Sequence, residues 1–131
     1  MKVRPPAYAG TFYEGSAQSL KDQIDACFTH ELGPRALPKV TDSRLKSIIG
    51  MINPHAGFMY SGPVAACGYY RLAQDGKPDT VVIFGPNHTG VGSGLAIMKE
   101  GKWRTPLGEV EVDTEVADSI VRKSSIVDVD D

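Results

Sequence analysis

Two short runs of apolar, mostly β-branched residues, Ile48-Ile49-Gly50-Met51-Ile52 and Thr80-Val81-Val82-Ile83-Phe84, constrain this chain more than any other feature. Neither alternates polar with apolar residues, so each reads as a strand buried on both faces, the habit of parallel sheets. Each is closed by a proline, Pro54 or Pro86, that lacks a ladder donor. Between them, Gly62-Pro63 is expected to open a helix, because a missing N–H is no loss in the first turn. Ala65, Ala66, Tyr69, Leu72 and Ala73 would form its apolar stripe and Asp75-Gly76 its end. Strand, helix, strand predicts a right-handed crossover with parallel, neighbouring strands. The expected class is therefore α/β on a largely parallel sheet.

The flanking chain is consistent with that class. Pro5 to Gly15 mixes Pro, Gly and aromatics and reads as an ordered coil. Ser16 is placed to cap a helix bearing Leu20, Ile24, Cys27 and Phe28 at helical spacing, with Gly33-Pro34 as its stop. A polar connector runs from Pro34 to Ser43. Leu95–Met98 and Gly108–Val112 are further strand candidates, and Asp113 can cap a last helix reaching Lys123.

At 131 residues the chain suffices for one globular domain, and 41% hydrophobic with 23% charged residues is an ordinary folded composition. A net charge of −2 gives no electrostatic case for nucleic acid or an anionic membrane. No apolar run approaches the roughly 18–20 residues of a membrane span. Met1-Lys2-Val3-Arg4 has no hydrophobic stretch behind it, so it is not a secretory signal. Cys27 and Cys67 each sit among apolar neighbours in a helical pattern and read as buried thiols. A cytoplasmic setting is expected.

The chemistry concentrates after the two apolar runs. His55 follows the first and His88 the second, on loops leaving the carboxyl ends of the expected strands, where open α/β sheets place their ligands. Loops from adjacent strands start about 5 Å apart, so two imidazoles can share one ion. Zinc, iron and copper all accept imidazole, and spacing does not choose among them. A loop histidine is also often a surface residue, and spacing alone leaves both readings open. Gly57 and Gly85 suit tight turns. Tyr60, Ser61, Asn87 and Thr89 offer hydrogen-bonding groups, and the helix opening beside them offers free N–H groups to an anion. His30 reads as a cation at a helix end. Asp128, Asp130 and Asp131 read as a solvated acidic tail, since a calcium loop would need a glycine turn and a closing glutamate.

These blocks resemble those of the Memo family. Arg4-Pro5-Pro6-Ala7-Tyr8-Ala9-Gly10-Thr11-Phe12-Tyr13 resembles the family opening, and Pro54-His55-Ala56-Gly57-Phe58-Met59-Tyr60-Ser61-Gly62 its first histidine motif. Phe84-Gly85-Pro86-Asn87-His88-Thr89-Gly90 resembles the second, and the stretch from Trp103 to Asp113 is similar to the segment that follows. Departures are Glu14, where proline is usual, and Asn53, where an apolar residue is usual. The resemblance implies a three-layer α/β/α, LigB-like fold of which residues 1–131 are the N-terminal half.

It also implies non-haem iron, or copper or zinc, held by His55 and His88 as metal and catalytic residues. Tyr60, Ser61 and Asn87 would line the substrate side. A third ligand, a cysteine, belongs to the C-terminal half, and neither Cys27 nor Cys67 matches its motif. Three functions go with the family: metal-dependent redox chemistry of dioxygenase-like type, a non-catalytic module that binds phosphotyrosine-type peptides in the old cleft, and association with AMMECR1-like and radical-SAM proteins. A small-molecule or peptide ligand is expected. A sheet cut midway would expose an edge and an apolar face, so self-association, or pairing with a separate C-terminal half, is expected as well.

Overall fold

The computed structural model describes residues 2–130. Its chain divides into two compact units, one formed by Ala7–Asp79, the other by the N-terminal residues through Pro6 with the chain from Thr80 onward. The class is mixed α/β, with three helices and two small sheets among the described residues.

In the first unit, helix α1 (Ala17–Thr29) packs on helix α2 (Phe58–Asp75). Ser16 caps α1 as expected, its hydroxyl accepting the Ser19 N–H at 3.2 Å. The helix ends at Thr29, ahead of the expected Gly33-Pro34 stop. His30 leaves the helical conformation, and its Nδ1 accepts the Leu32 N–H at 3.0 Å.

Helix α2 corrects a second boundary. It begins at Phe58, not at Gly62-Pro63, and Pro63 lies inside it. The reason is a tertiary cap: the Phe58 N–H donates to the Phe12 carbonyl at 2.8 Å, and Gly57 accepts from Tyr60 and Ser61. At the other end the connector closes over the helix. Thr41 N–H reaches the Ala73 carbonyl, Leu45 N–H the Asp75 carbonyl, and the Asp75 side chain accepts the Ser47 N–H at 2.9 Å and the Ser47 hydroxyl. Asp75 is 2% exposed, the one buried charged side chain among the described residues.

Neither apolar run forms a strand. Ile48–Ile52 is irregular, without a ladder partner, and Ile49 and Ile52 are each 102% exposed. Thr80–Phe84 is likewise outside both sheets, with Ile83 and Phe84 82% and 89% exposed. The expected buried, neighbouring parallel strands are therefore not formed. A strand is completed by its partner, and no described strand hydrogen-bonds to either backbone.

The second unit holds both sheets. Strand β1 (Val3–Arg4) runs parallel to β3 (Lys102–Thr105), which pairs antiparallel with β4 (Gly108–Glu111) through a Pro106-Leu107 turn. Register partners Arg4 and Trp103 also meet side by side, the guanidinium 4.5 Å from the indole centroid. Strand β2 (Ala96–Ile97), shorter than expected, pairs parallel with β5 (Asp128–Val129). The acidic end is thus partly structural: Asp128 is in a ladder, and the Asp130 carboxylate accepts the Ser93 N–H at 2.8 Å. Asp131 lies outside the described residues. Helix α3 (Thr114–Lys123) starts under the expected cap, Asp113 accepting the Val116 N–H at 3.0 Å.

Candidate functional site

His55 stands in the short loop Asn53–Gly57, between the apolar run and the first turn of α2. Beside it opens a cavity of about 560 Å³, wholly within the Ala7–Asp79 unit. That volume is in the range of small-molecule sites, roughly 300–1,000 Å³. Tyr8, Phe12 and Tyr13 of the N-terminal coil, Phe28 of α1, and Phe58 and Tyr69 of α2 make an aromatic lining. Asn53, His55 and Ser61 are its polar members, and Cys27 lies against it as well.

The wall is organised by ring contacts and close backbone approach. Tyr8 stacks on Phe12 with centroids 4.8 Å apart, and Tyr13 tilts against Phe58 at 5.8 Å. A Cβ at Gly57 would sit 3.2 Å from the Phe12 carbonyl oxygen, so glycine lets the coil cross the helix start there. Ser61 donates to the Ala56 carbonyl at 3.1 Å, tying the histidine loop to α2. Burial pushes the Cys27 thiol up, so it is the protonated sulfur that faces this cavity near neutral pH.

His88 occupies the loop after the second apolar run, in the other unit. Asn87 builds that loop: its Oδ1 accepts the Gly90 N–H at 2.9 Å and the Thr89 hydroxyl at 3.1 Å, and its Nδ2 donates to the Val91 carbonyl at 3.0 Å. Gly90 takes φ +66° within it, a left-handed conformation that favours glycine. Gly85 shows no such need, since a Cβ there would meet nothing within 4 Å.

His55 and Ser61 thus share the cavity, whereas Tyr60, 81% exposed, lies on the same turn but outside its lining. Asn87 and His88 share their own loop. Among the described residues, no three His, Cys, Asp or Glu side chains converge as a metal cage would require. Both cysteines are free, but Cys67 is exposed, not buried as expected: it sits about 100° around α2 from the buried Ala66. The aromatic cavity wall was not anticipated as a site. Its only sequence signal is the density of rings between Tyr8 and Tyr13.

These features define an α/β protein with an aromatic cleft of ligand size at the base of a histidine loop. The profile of the family described as Memo-like protein matches residues 4–131, and the chain belongs to that family. It is 54% identical to MEMO1 family protein MTH_45 of Methanothermobacter thermautotrophicus over 98% of this chain and 46% of the relative. MEMO1 family proteins of Sulfurisphaera tokodaii and Aeropyrum pernix are 52% and 51% identical, over 98% and 100% of this chain and 46% and 47% of those relatives. The chain spans about half the length of the curated relatives it matches. No described helix is long and apolar enough to cross a membrane.

Proposed function

We propose that this chain is the histidine-bearing part of a metal-binding Memo-family protein, His55 and His88 being two imidazole donors of one non-haem iron or copper site. The observation that carries the reading is the position of His55, on a loop bordering an aromatic cavity at the first turn of α2. Imidazole suits either metal, and an apolar wall excludes water from bound metal or substrate. The family's three-layer α/β/α sheet would complete around the apolar runs at Ile48–Ile52 and Thr80–Phe84. A third donor would come from outside the described residues. Redox chemistry of dioxygenase-like type is the reaction class such a site serves. Ser61, at the cavity, is the substrate-facing residue this geometry favours over Tyr60 and Asn87. Two free thiols suit a reducing, cytoplasmic setting.

Calorimetric titration with Fe(II) and Cu(II), with metal content measured after gel filtration, tests the reading. Binding should be near stoichiometric but weak, and His55→Ala or His88→Ala should each lower affinity at least about tenfold without unfolding the chain. Undiminished binding by His55→Ala removes the assignment. A second reading, a peptide-binding module, is favoured by the half-exposed rings of Tyr8 and Phe12 at the cavity. Capture of a phosphotyrosine peptide by metal-free protein, lost in Phe12→Ala, would support it instead.

A further inference from the structure

The cavity beside His55 has a wall of nearly uniform character. Rings from the N-terminal coil, α1 and α2 face it, together with the alkyl groups of Ile24, Ala65 and Ala66. An ionised group moved against such a wall gives up its water for groups that cannot replace it. The start of α2, where an anion could otherwise settle, is already engaged. The Phe58 N–H donates to the Phe12 carbonyl at 2.8 Å, and the Tyr60 and Ser61 N–H groups donate to the Gly57 carbonyl. The polar side chains at the cavity differ in what they can still do. Ser61 commits its hydroxyl proton to the Ala56 carbonyl at 3.1 Å, so its oxygen is left to accept. Asn53 keeps both functions: its carboxamide is half-buried at the cavity and, among the described residues, has no hydrogen-bond partner. It rests against α2 at Gly68, where a Cβ would collide with the Asn53 Oδ1, so the glycine makes room for it.

We propose that this cavity takes an uncharged aromatic carboxamide or lactam, its rings packed on the aromatic wall and its amide edge paired with the Asn53 carboxamide, which sets the specificity. A ligand amide offers a carbonyl to the Asn53 Nδ2 and an N–H to the Asn53 Oδ1 or the Ser61 oxygen. A carboxylate or phosphate on the same rings offers acceptors only, and brings a charge that the wall disfavours. The rings gain apolar burial and edge or offset-stacked contacts whichever polar group they carry. The inference deepens the reading of the cavity as the ligand side of the His55 site and rests on that placement, but it needs no metal.

The test is equilibrium dialysis of the chain in chelator against 2-naphthamide, 2-naphthoate, 2-naphthyl phosphate and 2-methylnaphthalene, four probes that share their rings. 2-Naphthamide should bind at least about tenfold more tightly than each of the others. Asn53→Leu should weaken 2-naphthamide at least about fivefold, keep 2-methylnaphthalene within about twofold, and leave the circular dichroism unchanged. Gly68→Ala, whose Cβ displaces the carboxamide while alanine favours the helix, should weaken 2-naphthamide in the same way without loss of stability. Tighter binding of the carboxylate or the phosphate overturns the proposal, as does binding of none of the four. So does an Asn53→Leu variant that holds 2-naphthamide as the parent does, or one that loses 2-naphthamide and 2-methylnaphthalene together. Because chelator is present throughout, metal binding without 2-naphthamide binding overturns this inference alone, and the converse overturns the metal reading alone.

Discussion

The Asp75 carboxylate accepts both the backbone N–H and the hydroxyl of Ser47, and through that pair the connector is locked onto the end of α2. The Ser47 hydroxyl is the main cause holding the Asp75 carboxyl below its ordinary range, against the opposing effect of burial. A folded-state pKa below the unfolded value of about 3.9 gives stability that is fully present above the unfolded value and is lost as pH falls through the folded one. Asp75→Asn should therefore be less stable than the parent near neutrality, and the gap should close as the solution is acidified below about pH 4. Urea melts across pH 2–7 measure it, and a gap independent of pH would show that the charge is not what holds the latch.

Gly62 meets Cys27 across the α1–α2 contact with no space between them, a Cβ at Gly62 falling 2.5 Å from the sulfur. Two effects oppose each other in Gly62→Ala. Helix propensity favours alanine by about 1 kcal/mol, whereas overpacking at a helix contact costs about 1–3 kcal/mol. The net result should be destabilising in the parent and should turn neutral or stabilising in a Cys27→Ala background, where the sulfur is gone. A double-mutant cycle from denaturant melts isolates the coupling, and additive changes would refute the contact.

Local signals in the sequence were good guides where the structure is decided locally. Ser16 and Asp113 cap the helices they were expected to cap, and Gly108–Glu111 is a strand, because a side chain three residues from its partner N–H, or a two-residue turn, settles each. The start of α2 was not legible, since its cap is the Phe12 carbonyl, far away in sequence. Ile48–Ile52 and Thr80–Phe84 carry the composition of buried strands, but composition encodes the wish for a partner and not its presence. The site divides in the same way. The loop positions of His55 and His88 follow from the prolines and glycines around them, whereas the cavity beside His55 depends on three elements meeting, which no spacing reports.

The Ser16 hydroxyl satisfies one of the donors left open at the start of α1. Ser16→Ala should cost about 1 kcal/mol, and Ser16→Asp should retain most of that stability because a carboxylate both accepts the bond and faces the positive helix end. Thermal melts of the three proteins should rank serine and aspartate together above alanine. An alanine variant as stable as the parent would mean that α1 is held by its packing on α2 alone.

The two cysteines should differ in reactivity, and the difference reports on the α1–α2 contact beneath the cavity. Cys67 is exposed, while Cys27 is buried and its thiol pushed up by burial. The thiolate is the reacting species, so Cys27 is protected twice: it is buried, and burial disfavours its ionised form. Titration with an aromatic disulfide at pH 8 should therefore modify one thiol rapidly and the second only at the rate of local or global opening. Cys67→Ser should remove the fast phase and leave the slow one. If both thiols react together in the folded chain, helices α1 and α2 open too readily to wall a cavity, and the aromatic cleft beside His55 is not a standing feature of the molecule.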